Sequence, residues 1–154
     1  MATFPMIELS LHPEPFAPLA ELAAWEQRLA AGGNAAPAAT ALFVGRVRGC
    51  DGAGAPLSAL ELEHYPGMTE AQIQRLAEAA LSKHQAMAAR VAHRVGRVDR
   101  GEAIVLVAVA ADRRGQAQRA CAELLEALKH DAPFWKKELR SDGTGSWVQG
   151  NTAL

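Results

Sequence analysis

The feature that most constrains this chain is an unbroken apolar stretch, AIVLVAVA, at residues 103–110. A strand that is apolar on both sides must be covered on both faces, so it belongs inside a sheet and not at an edge. Residues 91–98 alternate in polarity, and a polar turn at residues 99–102 joins the two segments. The pattern predicts a β-hairpin whose second strand is central.

The other segments predict a mixture of strands and helices. Pro18 is suited to opening a first helix. Thr69 and Gln72 form a capping-box pattern ahead of a second helix, and an apolar stripe that includes Cys121 predicts a third helix at residues 116–129. Because βαβ alternation is absent, we predict an α+β fold with a largely antiparallel sheet. Further strands are predicted at residues 6–11, 40–48, 57–64, 134–140 and 147–149.

The composition is that of an ordinary folded protein. The 154 residues suffice for one domain, which we assign to residues 1–154. A formal net charge of -1 gives no reason to expect nucleic acid or an anionic membrane as a partner. The sequence lacks a run of 18 apolar residues and a secretory-signal pattern, so the expected compartment is the cytoplasm.

Motifs for metals and cofactors are missing from the sequence. Cys50 and Cys121 are expected to be ordinary reduced thiols, because they lack a C-x-x-C motif. The five histidines lack metal-ligand spacing, and the glycine-rich residues 49–56, predicted to form a mobile loop, lack the phosphate-loop motifs. We therefore predict no metal and no cofactor. His64 and His93 are interpreted as structural residues.

The strongest candidate for chemistry is the segment KHDAPFWKKE at residues 129–138. Pro133 prevents the helix from continuing, so Lys129 and Lys136 can lie close together across the turn. Two neighbouring ammonium groups suit an anionic substrate, and their repulsion makes a neutral amine accessible. The alternative is structural, since lysines complement a helix C-terminus and protect an edge strand from aggregation.

Two other charged clusters are candidates for anion binding. Arg46 and Arg48 alternate near the end of a predicted strand, so both are expected on one face, either to bind phosphate or carboxylate or as solvated charges. Asp112, Arg113 and Arg114 lie where the apolar strand meets a helix N-terminus, a position that favours anions. In the alternative interpretation Asp112 caps that helix.

Three separated motifs together indicate a family. They are FVGRVR at residues 43–48, LEHYPGM at residues 62–68, and Lys129 followed by APFWKKE at residues 132–138. In this order they resemble the large, catalytic subunit of molybdopterin synthase, over residues 40–149. Three motifs in sequence are far more specific than any one of them.

The resemblance implies an α/β hammerhead fold, a form of α+β with helices packed on the sheet and a small β subdomain. It implies a sulfurtransferase of molybdenum cofactor biosynthesis, which converts cyclic pyranopterin monophosphate into molybdopterin by inserting two sulfurs as a dithiolene. The resemblance further implies that the sulfur donor is the thiocarboxylated Gly-Gly C-terminus of a small ubiquitin-like subunit, and that the large subunits form a homodimer within a heterotetramer.

The resemblance also assigns residues. Lys129 is the candidate for general acid/base chemistry and tail contact, and Lys136 for orienting substrate and stabilising negative charge, with the reverse assignment left open. The family commonly has His-Arg where this chain has Asp112-Arg113, so a carboxylate replaces an imidazole there. The residues assigned to substrate binding are Arg46, Val47, Arg48, Asp112, Arg113, Lys137 and Glu138.

Two other functions fit parts of the sequence. A noncatalytic module that binds the tail of a ubiquitin-like sulfur carrier is consistent with Asp112, but a docking surface does not need the converging charge of Arg48, Arg113 and the two lysines. A nucleic-acid face formed by the four arginines of residues 90–100 lacks aromatic partners and is interrupted by Asp99. A solvated charged strand is expected there instead.

Overall fold

A computed structural model describes residues 6–32 and 37–148 of the chain. None of the helices in this part is both long enough and apolar enough to cross a membrane. The elements are, in chain order, β1 (Met6–His12), α1 (Pro18–Ala31), β2 (Ala39–Arg46), β3 (Leu57–His64), α2 (Met68–His84), β4 (Ala88–Arg94), β5 (Gly96–Asp99), β6 (Ala103–Ala111), α3 (Arg114–Asp131), β7 (Phe134–Arg140) and β8 (Gly145–Trp147).

The apolar segment forms β6, which lies inside the main sheet, of strand order β1-β4-β6-β2. β6 pairs antiparallel with both β4 and β2, while β1 pairs parallel with β4 at the edge. Residues 105–111 of β6 are all buried. The prediction of a central strand is confirmed, and the α+β class with largely antiparallel pairing is confirmed with it.

Helices cover both faces of the main sheet because the side chains of β6 alternate between them. The odd-numbered valines at residues 105–109 pack against α2 and α3. Cys121 of α3 lies in this core, as its place in the apolar stripe predicted. The even-numbered residues 106–110 pack around Trp25 of α1, which is 1% exposed. Neither face of the central strand is left to solvent.

The predicted strand at residues 91–98 is divided between two sheets. β4 stays in the main sheet, whereas β5 pairs with β3 in the small sheet, of strand order β5-β3-β7-β8. Gly96 has a φ of +76°, a left-handed conformation that redirects the chain between the two. A polarity pattern cannot reveal this turn. The last strand, predicted at residues 147–149, is β8 at Gly145–Trp147, and Gln149 lies outside the described residues.

Two arginines of β4 are buried, contrary to the predicted solvated strand. Arg90 and Arg94 are 5% and 2% exposed. Arg90 donates hydrogen bonds to Ser10 at 2.9 Å and to Glu21 at 3.0 Å, and Arg94 donates to Glu102 at 3.2 Å. The Arg90 guanidinium therefore ties β4 to β1 and α1, and the two buried arginines do not form a nucleic-acid face.

The predicted capping box of Thr69 and Gln72 is wrong. α2 begins two residues earlier, at Met68, after Gly67 as the N-cap. The amide of Gly67 donates to the Glu70 carboxylate at 3.0 Å, which is one half of a capping box in a different register. The glycine has a φ of +84°, which suits the abrupt turn from β3 into α2.

The hydroxyl of Thr69 instead joins two parts of the chain. Thr69 is fully buried, and its Oγ1 accepts the Tyr65 amide at 3.0 Å while donating to the Pro133 carbonyl at 3.2 Å. Pro133 is the residue before β7. This side chain therefore fixes the start of α2 to the turn that leads into β7.

We predict that Thr69→Val lowers the free energy of unfolding by about 1–3 kcal/mol, because it leaves the Tyr65 amide and the Pro133 carbonyl without their partner. Thr69→Ser keeps the hydroxyl and should cost less, about 1 kcal/mol for the lost methyl group. Urea denaturation measures both changes. A valine variant no less stable than the serine variant would contradict this role.

Candidate active site

Lys136 is the centre of the candidate site. On β7 it shares one face of the small sheet with Phe134, which lies opposite His64 of β3. Lys136 is partly buried, and burial lowers its pKa below the ordinary value of 10.5. The charges of Lys129 and Arg48 lower this pKa further. The structure therefore brings the charge of Arg48, from a distant part of the sequence, to the two lysines of residues 129–138.

Lys129 reaches the site from the last turn of α3. The helix ends at Asp131, and the Phe134 amide donates to the Ala132 carbonyl at 2.8 Å in a tight turn around Pro133. This turn reverses the chain into β7, so the charge of Lys129 acts on Lys136 as the sequence predicted. Lys129 is exposed, and the helix C-terminus favours its positive charge.

Arg46 and Arg48 flank a buried anchor. β2 ends at Arg46, two residues before the predicted end, because its pairing with β6 becomes irregular after Gly45. Val47 is 4% exposed, and its amide and carbonyl both bond to residues 101–102 at 3.0 Å. The valine thus anchors the segment, and both arginines are exposed beside it. The assignment of Val47 to substrate binding stays a prediction.

The loop after Arg48 is braced against β7. Asp51 accepts the amides of Ala53 and Ala55 at 3.0 and 2.9 Å. Arg140 donates to the same carboxylate at 2.8 Å, and this hydrogen bond lowers the pKa of Asp51 below its ordinary value. The glycine-rich loop is therefore tied to the strand that carries Lys136.

Asp112 and Arg113 lie far from the lysines of the same chain. Arg113 is the N-cap of α3 and Lys129 is in its last turn, so the helical rise between them is about 24 Å. Both Asp112 and Arg113 are exposed. The interpretation that Asp112 caps α3 is wrong, because Arg113 occupies the N-cap and no side chain caps the helix.

The residues after Lys136 divide between the two faces of β7. Lys137 points away from Lys136, and its Nζ lies 5.8 Å from the centroid of the Trp147 ring. Glu138 shares the face of Lys136 and is partly buried. The structure groups Glu138 with the candidate site and separates Lys137 from it. Both assignments to substrate binding stay predictions.

His93, which was interpreted from the sequence as a structural residue, borders the site. It is 6% exposed on β4, and its ring stacks on Phe134 with centroids 4.0 Å apart and planes 11° apart. Burial lowers the pKa of His93 to about 4, and the charges of Lys136 and His64 act in the same direction. The imidazole is therefore neutral at physiological pH.

The geometry suits acid/base chemistry on an anion. Arg48 and Lys129 supply positive charge, and Lys136 combines partial burial with a lowered pKa. An amine of this kind can take up or release a proton closer to neutral pH than an ordinary lysine. Among the described residues, no cluster of histidine, cysteine and carboxylate side chains could hold a metal ion.

The family described as MoaE protein matches residues 17–131, most of the chain. The chain belongs to the MoaE protein family. The matched segment runs through α1 to the end of α3 and includes Arg48, Arg113 and Lys129, while Lys136 follows it.

Curated relatives and a solved structure agree with this membership. The molybdopterin synthase catalytic subunit of Ralstonia nicotianae is 47% identical over 111 residues, which are 71% of this chain and 61% of that protein. The subunit of the same name from Mesorhizobium japonicum is 47% identical over 131 residues, 84% of this chain and 77% of that protein. The molybdopterin biosynthesis MoaE protein from Burkholderia ambifaria MC40-6 matches with a TM-score of 0.76 and 37% identity, covering 97% of this chain and 93% of that one.

We predict that Lys136→Met raises stability at neutral pH, because it removes a partly buried ammonium beside Lys129 and Arg48. The folded-state pKa of Lys136 is lowered, so the unfolded chain binds more protons between that pKa and 10.5. Wild-type stability should therefore rise over this alkaline range, and the advantage of the variant should shrink.

Urea denaturation at a series of pH values measures both effects. Lys137→Met is the matched control, since this neighbour points to the opposite face and lies over Trp147. A Lys136→Met protein that is no more stable than the control at neutral pH would show that burial of the ammonium carries no cost.

Proposed function

We propose that this protein is the catalytic subunit of a molybdopterin synthase, a sulfurtransferase acting in the cytoplasm. It would convert cyclic pyranopterin monophosphate into molybdopterin by inserting two sulfurs as a dithiolene. One observation carries the proposal, namely the convergence of Lys129 and Arg48 on the partly buried Lys136 in a chain of the MoaE family. An anionic substrate and proton transfer both require such a site.

The three cations divide the work by their surroundings. The exposed groups of Arg48 and Lys129 attract the phosphate and the terminal thiocarboxylate, both of which are anions. Lys136, with its lowered pKa, moves the proton as the thiocarboxylate sulfur bonds to a side-chain carbon of the pterin and an oxygen substituent leaves that carbon, and as water then breaks the resulting thioester. Each transfer leaves sulfur on the substrate and an ordinary carboxylate on the donor.

The sulfur donor in this proposal is a small ubiquitin-like subunit with a thiocarboxylated Gly-Gly C-terminus. The curated relatives are named catalytic subunits, a name that implies another subunit in their enzymes. A Gly-Gly tail offers no side chains, so its recognition depends on backbone hydrogen bonds and on the charge of its end. The cationic cluster supplies that charge.

The distance between the two charged clusters supports a homodimer. Within one chain Arg113 and Lys129 are separated by a helical rise of about 24 Å, too far for both to contact one small substrate. If Arg113 binds substrate, as the resemblance implies, it serves the lysines of a second copy. The proposed assembly is therefore a homodimer that carries one small subunit for each lysine site, a heterotetramer.

We predict that Lys136→Met lowers turnover by about 100-fold or more, the usual cost of losing a proton-transfer group. Lys129→Met should lower it by about the same factor, because it removes a cation that stabilises negative charge at the site. The assay supplies cyclic pyranopterin monophosphate and thiocarboxylated small subunit and measures dithiolene formation. Lys83→Met is the control, because Lys83 pairs with Glu123 on the exposed surface of α2 and α3. Its turnover should match wild type.

The same assay tests the noncatalytic alternative. A wild-type protein that binds the small subunit but forms no dithiolene would be a docking module for the sulfur carrier. Near-normal turnover of either lysine variant, with the protein folded, would remove that lysine from the mechanism.

We also predict that two inactive variants complement each other in mixed dimers. Lys136→Met and Arg113→Ala should each be inactive alone, but a dimer of one copy of each contains one complete site. Random mixing should restore about a quarter of wild-type activity, because half of the dimers are mixed and each has one intact site of two. Mixtures that stay inactive, with exchange of subunits demonstrated, would show that Arg113 does not act across the dimer.

A further inference from the structure

The stack of His93 on Phe134 is a contact between the two sheets, immediately beside the candidate site. His93 is on β4 of the main sheet and Phe134 is the first residue of β7 in the small sheet. The rings are nearly parallel, with centroids 4.0 Å apart. Phe134 also packs against the core between α2, α3 and the main sheet. The start of β7 is thus fixed by a buried ring of another sheet.

The imidazole of His93 is held in one orientation. Its Nδ1 lies 2.7 Å from the carbonyl oxygen of Arg94, and a carbonyl only accepts hydrogen bonds, so Nδ1 carries the proton. Rotation of the ring about its side-chain bond would break both this hydrogen bond and the stack. Because the hydrogen bond and the stack both restrain the imidazole, its orientation in turn restrains Phe134.

Lys136 follows Phe134 by two residues on the same face of β7. A displacement of Phe134 would therefore change the depth at which the lysine amine lies. The chain is also held at this point by the pairing of Phe134 with His64 of β3 and by the Pro133 carbonyl, which accepts the Thr69 hydroxyl bond at 3.2 Å. These contacts and the stack on His93 together determine the position from which the Lys136 side chain extends.

We propose that His93 is a positioning residue for Lys136, and that it acts by stacking on Phe134 so that β7 leaves the Pro133 turn at one fixed depth. The imidazole itself takes no part in the chemistry. The inference deepens the proposed function, because it names the support of the proposed proton-transfer lysine. Other charged or titratable groups that act on Lys136 or share its face are Lys129 of α3, Arg48 after β2, His64 of β3 and Glu138 of β7.

The test compares His93→Ala with His93→Phe. Alanine removes the stacked ring, whereas phenylalanine keeps an aromatic ring of similar size and loses only the nitrogen atoms. With lysine labelled with carbon-13 and nitrogen-15, the Nζ signal of Lys136, assigned by its loss in Lys136→Arg, is followed by NMR as pH is raised. We expect the pKa of Lys136 to move up in the alanine variant, since water reaches a loosened site, and to stay near the wild-type value in the phenylalanine variant.

Turnover should follow the same order. A misplacement of a catalytic group by a fraction of an ångström to 1 Å lowers kcat by about tenfold or more, so His93→Ala should lose at least that much. The KM for the small subunit should change little, because His93 is 6% exposed and offers almost no surface for that protein to contact. His93→Phe should remain closer to wild type than to alanine.

Two results would overturn the proposal. One is a Lys136 titration that is the same in His93→Ala as in wild type; the other is a phenylalanine variant as defective as the alanine variant, which would mean that the imidazole nitrogens matter. If His93→Ala does not fold, Phe134→Leu removes the other half of the stack and should raise the pKa of Lys136 in the same way. The titration needs no substrate, so it tests the positioning role separately from the reaction. If the pKa of Lys136 shifts as expected but the wild-type protein forms no dithiolene, the positioning role is supported and the proposed reaction is refuted.

Discussion

The burial of both faces of β6 is the constraint on which the rest of the structure depends. An interior strand without polar side chains has to be covered by helices on each side, and α1 on one face and α2 with α3 on the other provide this cover. The same strand sets the distance between the two charged clusters. Arg46 pairs with Ala103, the first residue of β6, and Asp112 follows Ala111, the last residue of β6. The two clusters therefore lie at opposite ends of this strand.

The candidate site is formed where the chain leaves this core. α3 ends at Asp131, Pro133 turns the chain, and β7 joins a different sheet. That change of direction places an ammonium group in a partly buried position beside two other cations, which lowers its pKa. The arrangement opposes folding at neutral pH and makes the amine chemically available. Stability and reactivity therefore depend on the same side chain in opposite ways.

Much of the fold could be predicted because polarity patterns report directly on burial. The central strand, the three helices and β7 follow from such patterns, and Pro133 marked the end of α3. The errors arise where one side chain has several possible partners. Thr69 has the residue type of a helix cap but bonds across the fold to Pro133, and Arg90 is charged but is buried against Glu21. Residue type alone does not choose between a local partner and a distant one.

Only the part of the site that lies within one short segment could be predicted from the sequence. Lys129 and Lys136 are close in sequence, so a turn at a proline was enough to bring them together. The contribution of Arg48 depends on contacts with distant segments, because Val47 bonds to residues 101–102 and the loop after Arg48 is tied to β7 by the Asp51–Arg140 pair. His93 became a neighbour of Lys136 only through its stack on Phe134, and no pattern within residues 91–98 indicates which ring it meets.

The sequence by itself determined the elements of this protein, the central place of β6 and the residue types available for anion chemistry. These properties depend on polarity, proline and glycine, which act on the chain locally. Only the tertiary structure decided that Lys136 and Lys137 face opposite ways, that Arg113 lies about 24 Å from Lys129 along α3, and that His93 supports the start of β7. Those outcomes depend on which surfaces meet when the two sheets and the helices pack, and side-chain contacts between distant segments are set by that packing.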